Sequence, residues 1–343
     1  DVLLFSEVKY VGEASGELTF NNPEITEKDG VVTGTVTGTN ESGNKAEAVI
    51  ILAGYDAAGN LTNVAAGNLE GTLCDGGETH KKISKVCYAF RTPTSFASRL
   101  SEAGFDFLSM ANNHAHDFGE LGISSTMQCL DRLGIKYSGI KNYPDHAILQ
   151  KDSVTYGFCA FGHNDYTLRH QDLESVRRII THLVNVCDIV IVSFHGGAEG
   201  ASKTRLPYGK EVFCGEDRGS LRSFAHFCID AGADVVFGHG PHVARAMEVY
   251  KEHFIAYSLG NFCTPYGISL SGISGFAPLL ELQIDNEGRF QNGKIHSFIQ
   301  HRGIGPRLDV NNSAAKEISR LTQLDFPKGV LKIHADGSLS KAN

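Results

Sequence analysis

Amide and imidazole side chains stand directly after three apolar segments of this chain, and their types suit a metal site. The candidate ligands among them are Asn113, His195, His239 and His242. Imidazole nitrogens and amide oxygens suit transition metals of intermediate softness, such as Zn, Mn and Fe. Two such ions a few ångström apart can activate a water molecule and stabilise the leaving oxygen of a phosphoester. These residues therefore predict one or two divalent transition metal ions and a metal-assisted hydrolysis.

A bridging carboxylate and an acid–base pair are the other groups that such chemistry needs. Glu70, which follows Asn68 and Leu69, is the candidate carboxylate. His114 could donate a proton to a leaving oxygen, with Asp117 orienting its ring. The plainer alternative for Asp117 is that it caps a helix.

The other polar residues of interest have ordinary structural explanations. Asn261 has the plain alternative of closing a turn. Scattered histidines are expected to be surface residues or satisfied core residues, and these are His116, His146, His163, His182, His226, His253, His296, His301 and His334.

Apolar strands that alternate with helical patterns predict an α/β sheet that positions these groups. The strand patterns cover 105–110, 135–138, 153–161, 188–194 and 233–237, and the helical patterns cover 95–104, 119–133, 174–186 and 220–231. Open α/β sheets carry their chemistry at the carboxyl ends of strands. A hairpin is predicted over 246–258, and a second one around 335–337 ends the chain.

Residues 1–64 differ from the rest and predict a β-rich, Ig-like accessory module. The segments 30–39 and 46–53 read as strands, with Gly- and Asn-containing turns around them. The main domain is then expected over 65–305, with 306–343 as an extension that packs on it.

Bulk composition excludes some partners. The 343 residues carry a net charge of -8, which leaves no electrostatic footprint for nucleic acid. The longest apolar runs are far too short to span a bilayer. The chain begins at Asp1 without an initiator Met, which favours a processed form whose export signal or anchor has been removed.

Eight cysteines are too few for a disulfide scaffold. Cys74 and Cys87 flank a polar loop and are the candidate pair for a disulfide in an oxidising compartment. The cysteines lack zinc-type spacing and are poor candidates for metal ligands.

Five motifs occur in an order that resembles the CapA family of capsule or poly-γ-glutamate synthesis proteins, which is similar to calcineurin-like metallophosphoesterases. They are Asn68-Leu69-Glu70, Asn112-Asn113-His114, Phe194-His195-Gly196, Gly238-His239-Gly240-Pro241-His242 and Tyr257-Ser258-Leu259-Gly260-Asn261-Phe262. The resemblance covers about two thirds of the chain.

The resemblance implies a four-layer α/β/β/α sandwich with a dinuclear centre. By position, Glu70 would bridge the metals, and Asn113, His195 and His239 would bind the second metal. His242 would bind the first metal, and His114 would be the acid that faces the phosphate.

The sequence departs from that superfamily at its first strand, which should end in Gly-Asp with the Asp on the first metal. Asp1, followed by the apolar residues 2–5, is one candidate for this ligand. Asp56, after the strand pattern 46–53, is the other, although residues 54–56 fit a hairpin turn better. The sequence therefore leaves open which carboxylate would bind the first metal.

The expected function is a CapA-like envelope protein that hydrolyses a phosphoester or, as a weaker alternative, an amide. Its expected partners are an exported anionic polymer or phosphoester substrate and other capsule-synthesis proteins. Its expected location is outside the cytoplasm in the cell envelope, where a peripheral or lipid-anchored association with the membrane is compatible with the sequence. One alternative is a non-catalytic polymer-binding or assembly factor, and another is an interaction protein that works through its β-module.

Overall fold

A computed structural model describes residues 64–79, 88–264 and 268–342, together with five earlier backbone strands. Those strands are β1 (Val2–Phe5), β2 (Leu18–Phe20), β3 (Glu24–Lys28), β4 (Val31–Thr35) and β5 (Gly38–Asn40). The predicted strand 46–53, Asp56 and Asp1 lie outside the described residues.

The chain divides into two compact units, one of residues 11–52 and one of residues 1–10 with 53–343. In the smaller unit, β2 pairs with β5 and β3 pairs with β4, both antiparallel. Strand β4 lies within the predicted strand segment 30–39, and β5 begins within it. The assignment of residues 1–64 as an accessory module stays a prediction.

The first sheet of the larger unit is mixed. Its strands in the described residues run in the order β10 (Lys136–Ser138), β9 (Phe107–Ser109), β6 (Val64–Asn68), β1, β19 (Phe276–Ile284), β20 (Phe290–His301), β23 (Ser338–Lys341) and β22 (Leu331–Ile333), with β21 (Gly305–Leu308) beside β20. Strands β10, β9, β6 and β1 are parallel, and β19 runs antiparallel to β1. The parallel strands therefore end on one edge.

The second sheet places four parallel strands between two antiparallel edges. Its order is β11 (Ala147–Lys151), β12 (Val154–Phe161), β13 (Ile189–His195), β16 (Val235–His239), β18 (His253–Ala256) and β17 (Met247–Tyr250). Strand β13 is buried along its whole length, because parallel strands are covered on both faces.

Two short ladders lie outside the main sheets. Strand β7 (Thr72–Leu73) pairs with β8 (Arg91–Thr92), and β14 (Glu211–Phe213) pairs with β15 (Glu216–Gly219). The β14–β15 hairpin belongs to the long connection between β13 and the following helix.

Among the described residues, four α-helices cover the outer faces of the two sheets, and a fifth packs into the core between them. In chain order they are α1 (Ser98–Glu102), α2 (Gly119–Leu133), α3 (Leu173–Val184), α4 (Leu221–Asp230) and α5 (Ser313–Asp325). Helices α1 and α2 pack on the first sheet, and α3 and α4 pack on the second. Between the sheets, the rings of Phe107 and Phe158 stack with centroids 4.6 Å apart. The predicted four-layer α/β/β/α sandwich is confirmed.

The C-terminal segment is built into this sandwich. Helix α5 contributes Ala315 and Ile318 to the core between the sheets, and β22 and β23 extend the first sheet. The predicted hairpin around 335–337 is the β22–β23 pair.

In the described part of the chain, none of the helices combines the length and apolarity needed to cross a membrane. Cys74 is buried with a free thiol 3.4 Å from the Thr72 hydroxyl. Cys87 lies outside the described residues, so the bridge between them stays a prediction.

Candidate metal centre

Two neighbouring strands of the second sheet bring histidines to the same edge. His195 ends β13 and His239 ends β16, and the two residues are register partners in parallel strands. Neighbouring strands lie about 5 Å apart, so these side chains are direct neighbours. The Gly196 amide donates to the His239 carbonyl at 2.9 Å. Gly240 has φ +115°, and a Cβ there would lie 2.4 Å from the Gly196 carbonyl oxygen. Glycine is therefore required for the two strand ends to approach this closely.

A network of buried amides fixes the matching edge of the first sheet. Asn112, which follows β9, donates through Nδ2 to Asn68 Oδ1 at 3.1 Å and to the Leu69 carbonyl at 2.9 Å. Asn68 Nδ2 donates to Glu70 Oε2 at 3.4 Å. The Asn112 side chain also accepts from the His114 amide at 3.1 Å. These bonds hold the two strand ends and Glu70 in one arrangement.

Three imidazoles converge on the Glu70 carboxylate. His195 Nε2 lies 3.4 Å from Glu70 Oε2, and His242 Nε2 and His114 Nε2 each lie 3.7 Å from Oε1. The Glu70 side chain is 1% exposed and the His195 side chain is 0% exposed. The two sheets therefore contribute to one largely buried cluster.

Carboxylate and amide oxygens orient two of these rings. His114 Nδ1 lies 2.8 Å from Asp117 Oδ2, which also accepts from the Phe90 amide at 2.7 Å. His242 Nδ1 lies 2.8 Å from Asn261 Oδ1. When the Nδ1–H of His242 donates to Asn261, its Nε2 lone pair faces Glu70, which is the usual arrangement of a metal-binding histidine. Asp117 and Asn261 therefore do more than cap a helix or close a turn.

Charged side chains on the connection after β13 lie next to this cluster. Glu199 Oε2 lies 3.9 Å from His242 Nε2, and Glu199 Oε1 accepts from Arg218 at 2.9 Å. Arg218 also donates to Glu216 at 2.9 Å, and Glu216 lies 3.5 Å from His163 Nε2. The sequence reasoning missed Glu199 and Arg218.

His163 is part of the site rather than a scattered histidine. It is buried, its ring centroid lies 5.8 Å from that of His195, and it follows β12 as His195 follows its own strand run. That strand-end position was the signal that could have found it. Burial, with the neighbouring His195 as a smaller cause, lowers the pKa of His163 to about 2. Burial lowers the pKa of His170 to about 4, so both rings are neutral at pH 7.

A buried ion pair holds the turn after His195. Arg245 is fully buried and forms two bonds of 2.8 Å with the Glu211 carboxylate. Glu211 accepts from the Ala198 amide at 3.0 Å, and Arg245 donates to the Ala198 carbonyl at 3.1 Å. This pair therefore fixes the backbone that leads from His195 to Glu199.

The donor set fits a divalent transition metal in its chemistry. Two ligand atoms bound at about 2.1 Å in a tetrahedral arrangement lie about 3.4 Å apart, close to the separations around Glu70. Asn113 Oδ1 is buried and accepts no hydrogen bond from the described residues. Within those residues, however, no group of three or more His, Cys, Asp or Glu side chains is already arranged to hold a metal ion.

Most of the predicted site residues lie together, and one lies outside the described residues. The structure brings together Glu70, His114, Asp117, His195, His239 and His242, with Asn113 adjacent to His114. Asp1 lies outside the described residues. Its role as a ligand of the first metal therefore stays a prediction.

Comparison with known proteins identifies relatives. Residues 52–266 match the family described as "Bacterial capsule synthesis protein PGA_cap". The chain is 30% identical over 186 residues to the capsule biosynthesis protein CapA of Bacillus anthracis, covering 49% of this chain and 42% of that protein. It is 28% identical over 246 residues to the PGA biosynthesis protein CapA of Bacillus subtilis (strain 168), covering 67% and 60%. The chain thus spans about half the length of these relatives.

Solved structures show weaker similarity. A novel phosphatase from Mycoplasma pneumoniae is 13% identical with a TM-score of 0.46, covering 70% of this chain and 83% of that one. A 5'-nucleotidase precursor from Thermus thermophilus is 13% identical with a TM-score of 0.38, covering 76% and 49%. At this level of similarity, these structures contribute nothing to the assignment of a function.

Proposed function

Since the chain belongs to the PGA_cap family of bacterial capsule synthesis proteins, we propose that it is a metal-dependent phosphoester hydrolase of anionic polymer synthesis. The observation that carries the proposal is the convergence of three imidazole Nε2 atoms on the buried Glu70 carboxylate. A purely structural core rarely collects so many ionisable groups without a ligand, because burying charge is costly.

Five residues would hold the metal, and these are Glu70, Asn113, His195, His239 and His242. Glu70 presents one oxygen to His195 and the other to His242, which suits a bridging role between two ions. Bound Mn, Zn or Fe ions would supply an activated water and stabilise negative charge on phosphoryl oxygens.

His114 and Asp117 are proposed as the acid and its positioning partner. His114 Nδ1 lies 2.8 Å from Asp117 Oδ2 in a buried hydrogen bond, which fixes the orientation of the ring. His114 Nε2 could then deliver its proton to a leaving oxygen. The Phe90 ring lies 4.1 Å from the His114 ring and limits the access of water.

The names of the relatives support a role in the cell envelope. Two of them are a capsule and a PGA biosynthesis protein, which supports an exported anionic polymer as the substrate or as its carrier. We propose that the chain acts outside the cytoplasm, with other capsule-synthesis proteins as partners and with peripheral or lipid-anchored membrane association.

Hydrolysis of a nitrophenyl phosphodiester by the Mn-loaded protein tests the enzymatic proposal. We expect the wild-type protein to be active and Glu70→Gln to lose activity, because Gln cannot bridge two cations as a carboxylate does. His296→Ala is the matched control, since His296 forms a 2.8 Å pair with Glu281 within β19 and β20. Inactive wild-type protein, or a fully active Glu70→Gln, would reject the proposal.

A non-catalytic polymer-binding or assembly factor is the second candidate. The observation in its favour is that no described group of three or more acidic, His or Cys side chains is already arranged for a metal. This candidate predicts polymer binding without bound metal and without hydrolysis.

A further inference from the structure

A cleft of about 630 Å³ lies between the connection after β13 and the end of α5. Its cationic lining residues are Lys203, Arg205, Lys210 and Arg222, and its acidic ones are Glu211 and Asp325. The cleft borders the candidate metal centre, because Ala198 and Glu211 line it and also fix the turn after His195. Its volume suits a small ligand or a short stretch of a polymer.

The acidic lining residues are already neutralised by other groups. Glu211 is paired with the buried Arg245 behind the cleft wall. Asp325 accepts from Arg205 at 2.6 Å and from the Leu206 amide at 3.0 Å. Lys210 lies 3.4 Å from Asp217, so the cations of the cleft that have no carboxylate partner among the described residues are Lys203 and Arg222.

Arg222 is a buried cation of the cleft, and it is 9% exposed. Its guanidinium carbon lies over the rings of Tyr208 and Phe326, at 4.4 and 4.2 Å from their centroids. Its Nη2 contacts the Leu206 and Asp325 carbonyls at 3.3 and 3.4 Å, whereas its Nε is buried and bonds to none of the described residues.

Arg222 also makes no ion pair with a carboxylate in the part of the chain that the structure describes. Burying an uncompensated charge is costly, and cation–π contact offsets that cost only in part. This is the state expected of an arginine whose anionic partner is a ligand.

We propose that this cleft binds a carboxylate of the acidic polymer, with Arg222 as its principal contact. Its Nη2 already contacts two backbone carbonyls, so Nε is the donor that is left for a carboxylate oxygen. Leu206, Pro207 and Leu324 provide apolar walls for the methylene groups of a γ-linked glutamate chain. The identity of this polymer rests on the proposed function.

The exposed Lys203 gives the cleft a second cation for the same chain. Its ammonium group makes no ion pair with the described carboxylates, and its backbone carbonyl accepts from Arg245 at 2.9 Å. Lys203 is therefore anchored through its backbone while its side chain can reach a neighbouring carboxylate of the polymer.

Binding of a fluorescent γ-linked glutamate oligomer to the full chain tests the proposal. We expect affinity that weakens with salt, and a loss of about tenfold or more in Arg222→Gln, because a charged hydrogen-bonded contact is removed. Lys203→Glu, at an exposed position that cannot unfold the core, should weaken binding about three- to tenfold. Arg320→Gln is the control, since Arg320 is exposed on α5 and pairs with Glu317.

Unchanged affinity in both Arg222→Gln and Lys203→Glu would overturn the proposal. Displacement of the oligomer by an equal concentration of inorganic phosphate would also overturn it, in favour of a phosphate site. Glu70→Gln separates this inference from the proposed function, because it should lose hydrolysis and keep oligomer binding. Oligomer binding by a protein without hydrolysis rejects the enzymatic proposal alone, and hydrolysis without oligomer binding rejects the cleft alone.

Discussion

Replacing His114 separates acid catalysis from metal binding, because His114 contacts Glu70 but is assigned no metal. His114→Ala should keep the metal content of the wild-type protein while turnover of an unactivated alkyl phosphodiester falls. General acid catalysis contributes about 10²- to 10⁴-fold, which sets the size of the expected loss. With nitrophenolate as the leaving group the loss should be much smaller, because that group hardly needs a proton.

Asp117→Asn refines the same test through the 2.8 Å bond to His114 Nδ1. Both side chains are buried, and a hydrogen bond to a charged group is worth about 1.5–3 kcal/mol. If that free energy holds the ring in position in the transition state, turnover should fall about 10- to 150-fold. The loss should again depend on the leaving group.

Steady-state kinetics on both substrates, with metal analysis and thermal melts of each variant, decide the question. His296→Ala, which removes another histidine–carboxylate pair, should leave both rates unchanged. If His114→Ala lowers only the melting temperature, and turnover per folded molecule stays near wild type for both leaving groups, the assignment of His114 as the acid is refuted.

Two predictions concern stability. Glu211→Ala should lower the free energy of unfolding by about 3–5 kcal/mol in chemical denaturation, because it leaves buried Arg245 unpaired. The control Glu317→Ala, at an exposed pair, should lower it by at most about 1 kcal/mol. If Glu211→Ala lowers the free energy of unfolding no more than the control does, the Arg245–Glu211 pair does not have this role. Burial raises the pKa of Asp234 to about 6, so the folded state binds this proton more tightly than the unfolded state, and stability falls as pH rises through that range. Asp234→Asn should therefore gain about 3 kcal/mol relative to wild type between about pH 4 and pH 8, and a pH-independent difference would refute this.

Sequence periodicity predicted the elements of the main domain well. Helix α2 has the predicted bounds 119–133, because its apolar spacing and the left-handed Gly134 after it are local signals. The strand β13 is one residue shifted from the predicted run 188–194, which reflects its continuous apolar burial. Local patterns do not reveal strand order, so the central place of β1 between β6 and β19 was not predicted.

The candidate site was predictable where residues follow strands and hidden where they come from connections. His195 and His239 each end a strand of the second sheet, and they lie close together because those strands pair in parallel. Glu199 and Arg218 lie on a long connection whose path depends on the buried Arg245–Glu211 pair, and that pair joins residues 34 positions apart. No spacing rule in the sequence signals a contact of that kind.

Metal content per chain tests the central claim most directly. Wild-type protein that has been stripped with a chelator and reloaded with Mn, Zn or Fe should retain about one to two ions per chain after desalting. The double variant His195→Ala with His242→Ala should retain none while its circular dichroism stays that of the folded protein, and His296→Ala should retain the wild-type amount. Wild-type protein that holds no metal after reloading, or a folded double variant that holds as much as wild type, would contradict a metal centre at Glu70.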